Sequence, residues 1–189
     1  MKGALIALGV IVLLCLIVGG NLMGSRNELV TEREEIKNSF AQVDVQLQRR
    51  NDLIPNLVAT VQGFAKQEQS VIDSVTKARA AMMGAQTPAE KIGADRELSG
   101  ALGRLFVITE NYPNLKSDQN FLALQDQLEG TENRIGQERR KYNDAVKKYN
   151  VDIELFPKNI SASIFGFHRE DAYFTADAAA KEVPKVNFK

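Results

Sequence analysis

Residues 3–50 read GALIALGVIVLLCLIVGGNLMGSRNELVTEREEIKNSFAQVDVQLQRR. Within this stretch, residues 3–25 carry no charge and are bracketed by Lys2 and Arg26. A helix rises about 1.5 Å per residue, so roughly 20 residues cross a hydrocarbon core of about 30 Å. The densest part, Ala4 to Val18, shows no polar face, which a core helix of a soluble protein would keep. The reading is a transmembrane anchor over residues 1–25. The rival is a cleaved signal sequence, with Lys2 as its basic start and Val18-Gly19-Gly20 as a small-residue exit. The apolar stretch exceeds the roughly 7–15 residues of a signal core, which favours the anchor. Cys15 follows Leu13 and Leu14, whereas a lipid-modified cysteine wants a small residue before it. Cys15 therefore reads as a lipid-facing side chain.

The second part of the stretch is amphipathic. Leu29, Ile36, Phe40, Val43 and Leu47 recur at spacings of seven, four, three and four, a coiled-coil-like seam on a helix that leaves the membrane without a break. Asn51-Asp52 is expected to end this helix and open a second, with Asp52 as cap and Pro55 in the first turn, where its missing N–H costs nothing. That second helix carries Ile54 through Met82 at helical spacing and stops at Gly84. Thr87-Pro88-Ala89-Glu90 reads as a capping box with proline at the first helical position. The third helix runs from Pro88 to about Tyr112, and its Gly93, Gly100 and Gly103 are expected to permit close helix approach. Asn111 to Asn114 is a turn. The fourth helix runs from Ser117 or Asp118 to Phe156, where Pro157 stops it.

No strand signal appears. The fold class is all-α: an N-terminal transmembrane helix followed by an antiparallel up-down four-helix bundle with long helices. The organisation is anchor 1–25, bundle 26–157, and a tail 158–189 that is first apolar and then frayed, with a short helix expected over Thr175 to Val183. The turns Arg49–Pro55 and Tyr112–Asn120 are expected to meet at the end far from the membrane. Taken at these boundaries, the fourth helix is about 58 Å long and the soluble part of the first about 37 Å, a mismatch the pattern does not resolve.

Composition removes several function classes. Among 189 residues, 24 are Lys or Arg and 24 are Asp or Glu, so the basic excess of a nucleic-acid binder is missing. One Cys and one His exclude a disulfide framework, a multi-Cys metal site and a His cluster. No phosphate-binding glycine loop, zinc-protease motif or C-x-x-C is present. A di-iron bundle needs two Glu-x-x-His motifs, and one His cannot supply them. The expectation is therefore no catalytic residue, no metal and no cofactor: a protein that is not an enzyme. His168, between Phe167 and Arg169, reads as a surface residue.

Two groups of residues stand out as candidate surfaces. Arg49, Arg50, Asp52, Tyr112 and Lys116, at the two distal turns, are candidates for binding a protein partner. The same charges also suit helix ends on structural grounds alone. Arg139, Arg140, Lys141, Lys147 and Lys148, with Phe165 and Phe167 of the tail, are candidates for lipid contact, worth about 1 kcal/mol per basic residue at an anionic surface. A solvated helix face is the alternative for the basic run. The partners expected are the lipid bilayer and an unidentified protein, with homo-oligomerisation left open and no nucleic acid. Lys2 and the α-amino group precede the anchor and Arg26, Arg33 and Lys37 follow it, which leans toward a cytoplasmic domain with the N-terminus outside.

Three long runs carry a resemblance. QVDVQLQRRNDLIPNLV (Gln42–Val58), ENYPNLKSDQNFLALQDQLEGTENRIGQERRKYNDAVKKYN (Glu110–Asn150) and FPKNISASIFGF (Phe156–Phe167) resemble the LemA family of bacterial proteins. The resemblance implies a single-pass protein of the bacterial inner membrane, a small N-terminal segment outside, and a helical bundle on the cytoplasmic or periplasmic side. It leaves the activity open. One departure is Asn51, where an aromatic residue is expected of the family, so no stacking role is carried over. The functional expectation is a membrane-anchored interaction or scaffold protein. The alternatives are a signal-receiving membrane module and an enzyme with a carboxylate site in the bundle.

Overall fold

The computed structural model describes residues 2–175, and among them no strand occurs. The helices are α1 (Lys2–Phe64), α2 (Gln69–Gly84), α3 (Pro88–Thr109), α4 (Pro113–Lys116), α5 (Gln119–Glu154) and α6 (Lys158–Phe165). The chain divides into two compact units. Of the described residues, one is built from 2–39 together with Lys141–Asp171, the other from Phe40–Arg140 together with 172–175.

In the first unit the N-terminal part of α1 is long and apolar enough to cross a membrane, and none of its apolar window is buried. Leu5, Ile6 and Leu16 are each 68% exposed. A stripe this apolar and this bare belongs in lipid, so the chain is a membrane-associated protein. Beyond it Leu29 and Ile36 of α1 are buried, as are Tyr142, Val146 and Tyr149 of α5. Glycine is required at Gly166, which ends α6 at φ +70° while the Phe167 N–H donates to the Ala162 carbonyl at 2.9 Å. The chain then runs on without regular structure and is held to α5. The Tyr149 hydroxyl donates to the His168 carbonyl at 2.9 Å, and the Asn150 amide makes reciprocal bonds to the backbone of Glu170 at 2.7 and 2.9 Å.

In the second unit α2 packs against α3. Val43, Leu47, Ile54, Leu57 and Val61 of α1, Ile72 and Val75 of α2, Leu98 and Leu105 of α3, and Phe121 and Ile135 of α5 are all buried. The capping box forms as its sequence predicts. The Glu90 N–H donates to Thr87 Oγ1 at 3.2 Å and the Thr87 N–H to Glu90 Oε2 at 3.0 Å.

Three expectations are corrected. The first helix does not stop at Asn51-Asp52: α1 continues through Pro55 to Phe64. A proline inside a helix leaves the carbonyl four residues back without its donor, here that of Asn51. Arg79 of α2 supplies the missing bond, its Nε donating to the Asn51 carbonyl at 3.2 Å. The true break lies at residues 65–68, just after Gly63, and Ala65 there is buried. This also removes the length mismatch, since Arg26–Phe64 measures about 58 Å and α5 about 54 Å. The turn beside the Tyr112 segment is accordingly 65–68 rather than Arg49–Pro55, and the Tyr112 hydroxyl donates to Glu68 Oε1 at 2.9 Å. Finally, Gly93, Gly100 and Gly103 do not mediate close approach, because a Cβ at each would meet open space. The short helix expected over Thr175 to Val183 lies, beyond Thr175 itself, outside the described residues.

The Pro55–Arg79 relation yields a double-mutant test. Arg79→Met leaves a buried carbonyl without a donor, a loss of about 1–3 kcal/mol. In a Pro55→Ala background residue 55 supplies its own N–H, and the loss caused by Arg79→Met should shrink toward zero. Urea denaturation of the four variants in detergent measures the coupling.

Candidate functional site

The seam of α1 runs through Val43, Leu47, Arg50, Ile54, Leu57 and Val61 at spacings of four and three. Arg50 therefore occupies a core position, and it is 2% exposed. On α3 Asp95 shares the seam of Leu98, Leu102, Leu105 and Thr109, and it too is buried. Arg139 lies between Ile135 and Tyr142 on α5. These three seam positions meet. Arg50 Nη2 bonds Asp95 Oδ1 at 2.5 Å, and Arg139 Nη2 bonds Asp95 Oδ2. Glu132 completes the group, accepting from Arg50 Nη1 at 2.9 Å and lying 3.5 Å from Arg139 Nη1. Ser99 accepts from Arg50 Nη1 at 3.0 Å. Burial pushes the Asp95 carboxyl above its ordinary range, against the pull of the two guanidiniums.

Two cavities adjoin this network. One of about 410 Å³ has Arg50, Ser99 and Glu132 at its polar edge and Leu102, Phe106 and Leu128 along its apolar wall. The other, about 150 Å³, is bordered by Asp95, Glu132 and Arg139 together with Phe174 and Thr175. The Arg139 guanidinium stacks on the Phe174 ring at 5.3 Å, and Arg96 Nη2 donates to Thr175 Oγ1 at 3.1 Å. The carboxylates of the network are engaged by guanidiniums on both oxygens, an arrangement that locks three helices rather than holding a free base. Among the described residues no group of three His, Cys, Asp or Glu side chains is placed to hold a metal ion.

A second charged cluster lies in the first unit. Lys158 of α6 reaches Asp152 at 2.5 Å, Glu28 at 2.9 Å and Glu32 at 3.5 Å, and Lys148 reaches Glu32 at 2.8 Å. The bond from the Lys158 ammonium and the charges of Lys158 and Lys148 hold the Asp152 carboxyl below the usual carboxylate range. Burial works against the Lys158 ammonium, but its bonds to Asp152 and Glu28 and the charge of Glu32 outweigh that and push it upward.

The residues singled out from sequence fall as follows. Arg50 is withdrawn from any surface by its burial. Arg49 is exposed and borders a cavity with Asp126, Thr131 and Arg134. Asp52 is exposed and accepts from Gln48 Nε2 at 2.7 Å. Tyr112 joins Glu68, and Lys116 pairs with Glu110 at 2.5 Å. Of the basic run, Arg139 belongs to the buried network and Lys148 to the Glu32 cluster, while Arg140, Lys141 and Lys147 are exposed. Phe165 and Phe167 are half-buried under Arg26 and Arg33, with the guanidinium carbons 5.5 and 5.4 Å from the ring centroids. Asp95 and Glu132 were not anticipated. The signal that exposes the network is a charge on each of three heptad seams.

Fold and site together define a helical, membrane-associated protein with a charge network in the core of its second unit. The chain belongs to the LemA family, whose model matches residues 39–188. It is 29% identical to magnetosome protein MamQ 2 of Paramagnetospirillum magneticum and 29% identical to magnetosome protein MamQ of Magnetospirillum gryphiswaldense. Each alignment covers 78% of this chain and 64% of the relative. It is 24% identical to Protein LemA of Metamycoplasma hominis over 87% of this chain and 74% of that protein. The chain thus spans 64% of the length of the magnetosome relatives.

Asp95→Ala leaves the two guanidiniums with Glu132 alone and should cost about 3–5 kcal/mol, whereas joint replacement of Arg50, Asp95 and Arg139 by Met, Leu and Met should recover most of that loss. Urea denaturation reads both. The second cluster gives a pH prediction. A depressed carboxyl contributes stability above its unfolded value, about 3.9, and loses it as pH falls through the lower folded value. A raised ammonium contributes stability below its unfolded value, about 10.4, and loses it as pH rises through the folded value. The hold of α6 should therefore be constant between those limits and weaken outside them, seen as faster amide exchange at Ala162 to Phe167.

Proposed function

We propose that this chain is a single-pass, membrane-tethered interaction module without catalytic activity. Its second unit is an antiparallel up-down arrangement of four helical segments, residues 40–64, α2, α3 and the first half of α5. The short links at 65–68 and 85–87 support that arrangement, since short connections make antiparallel neighbours. The observation that carries the non-catalytic reading is the network of Arg50, Asp95, Arg139 and Glu132, in which guanidiniums engage both oxygens of each carboxylate and leave neither as a free base. His168 is exposed and engages only through its backbone carbonyl.

The partner surface proposed is the end where residues 65–68 meet the Tyr112 segment. Phe64 is 44% exposed there, and Lys66, Glu110 and Lys116 present charges around it. Lys2 before the span, and Arg26, Arg33 and Lys37 after it, favour a cytoplasmic bundle with the N-terminus outside.

A photo-crosslinker introduced at Gln67 in native membranes should yield a discrete protein adduct. Lys66→Glu with Lys116→Glu should abolish it while shifting stability by no more than about 0.5 kcal/mol, because both side chains are exposed. No adduct from Gln67, or an adduct indifferent to the charge reversals, would place the functional surface elsewhere.

A further inference from the structure

Helix α6 has two unlike faces. Lys158, Ser161, Ala162 and Phe165 recur at spacings of three and four and form the face against α1. Lys158 pairs with Glu28 and Glu32, Ser161 Oγ donates to the Leu22 carbonyl at 3.4 Å, and Phe165 lies under Arg26. The opposite side is exposed and uncharged, with Ile160 and Ile164 beside Asn159 and Ser163. Ile160 is 44% exposed and Ile164 60%, and in the turn just before the helix Leu155 is 57% and Phe156 79% exposed.

The contacts of α6 set its depth. The uncharged residues 3–25 extend about 34 Å as a helix against a hydrocarbon core of about 30 Å, so Leu22 to Arg26 fall where acyl chains meet headgroups. Ser161 and Phe165 touch α1 at Leu22 and Arg26, which brings α6 to that level. The sole charged residue of α6, Lys158, is turned inward and neutralised by Glu28, Glu32 and Asp152. Its exposed side therefore carries no charge to be stripped of water.

We propose that α6 and the Leu155-Phe156 turn form a second membrane contact, an interfacial helix that seats Leu155, Phe156, Ile160 and Ile164 among the upper acyl chains beside the span. The occupant of this face is lipid, because the contacts of α6 with Leu22 and Arg26 hold it at the level where the span leaves the hydrocarbon core. Short amphipathic helices bind bilayers in this way, with the apolar side sunk to the headgroup boundary. The contact makes the anchor two-legged: the span fixes the chain in the membrane, and α6 fixes the rotation and tilt at which α1 leaves it. This inference rests on residues 3–25 crossing the bilayer.

The chain contains no Trp, so single introduced tryptophans report unambiguously. The full-length variants Phe156→Trp, Ile164→Trp, Leu14→Trp and Lys37→Trp are placed in vesicles of phosphatidylcholine and phosphatidylglycerol. Part of the phosphatidylcholine is brominated either high or low on the acyl chain, and aqueous iodide is the opposing quencher. Lys37 lies about 16 Å beyond Arg26 along α1 and serves as the water-exposed reference. Phe156→Trp and Ile164→Trp should emit blue-shifted light, be quenched most by the shallow bromines, and resist iodide. Leu14→Trp should respond to the deep bromines, and Lys37→Trp to iodide alone. Iodide quenching of Phe156→Trp and Ile164→Trp beside a lipid-quenched Leu14→Trp would overturn the interfacial helix while leaving the span in place. Failure of both bromolipids to quench Leu14→Trp would remove the span, and the proposal with it. Protection from iodide without bromolipid quenching would mean that protein covers the face, and would also overturn the proposal.

Discussion

One buried carboxylate between two guanidiniums organises the second unit. Asp95 of α3 is held by Arg50 of α1 on one oxygen and Arg139 of α5 on the other, with Glu132 balancing the second positive charge. A charged core of this kind adds less stability than an apolar core of equal volume. Its effect lies in register. Sliding α3 along α1 by one turn would move Asp95 by about 5.4 Å and leave a buried carboxylate without its two guanidiniums, which disfavours the alternative registers that a repeating aliphatic seam tolerates. The apolar layers above and below, from Leu47 to Val61 on α1 and from Leu98 to Leu105 on α3, inherit that alignment.

Much of this was legible in the sequence. The apolar run up to Val18, the seam of Leu29, Ile36, Val43 and Leu47, and the Thr87–Glu90 box all declare themselves through local chemistry, and each appears in the structure where the pattern puts it. The network did not, and for a specific reason. Asp52 and Pro55 look like a helix start, so the pattern divides the first helix at residue 51 and turns Arg50 into a helix-end charge. Once α1 is continuous, Arg50 falls on the same seam as Leu47 and Ile54 and has to be buried. The feature that makes continuity possible, Arg79 at the Asn51 carbonyl, joins residues 28 apart in the chain, and no local pattern encodes it. The break at 65–68 was hidden in the opposite way, because Phe64, Ala65, Val71 and Ile72 keep helical spacing across it.

The tail shows a similar division. Its apolar character was evident, but the distribution of that character was not. Phe165 and Phe167, the obvious aromatic pair, are turned onto Arg26 and Arg33, and the apolar part of the bare side is left to Leu155, Phe156, Ile160 and Ile164. Sequence spacing alone does not reveal which side of an eight-residue helix faces its neighbour. Here the choice is made by small side chains, Ser161 and Ala162, which let α6 sit close to α1, and by Lys158, which three carboxylates draw inward.

The carbonyl left bare by Pro55 imposes a direction on the history of this chain. A lineage that loses the proline gains a backbone donor and leaves Arg79 without its task, so it is then free to drift. A lineage that loses Arg79 first carries an orphaned carbonyl in its core until the proline also goes. The two substitutions reach the same end by unequal routes, and only the one through residue 55 avoids an uphill step. A chain without the proline is therefore released from the demand at position 79, whereas one that keeps it is more stable with a side chain there that can reach across and donate. The pair behaves as a ratchet, and it ties the conformation of one helix to the side-chain identity of another.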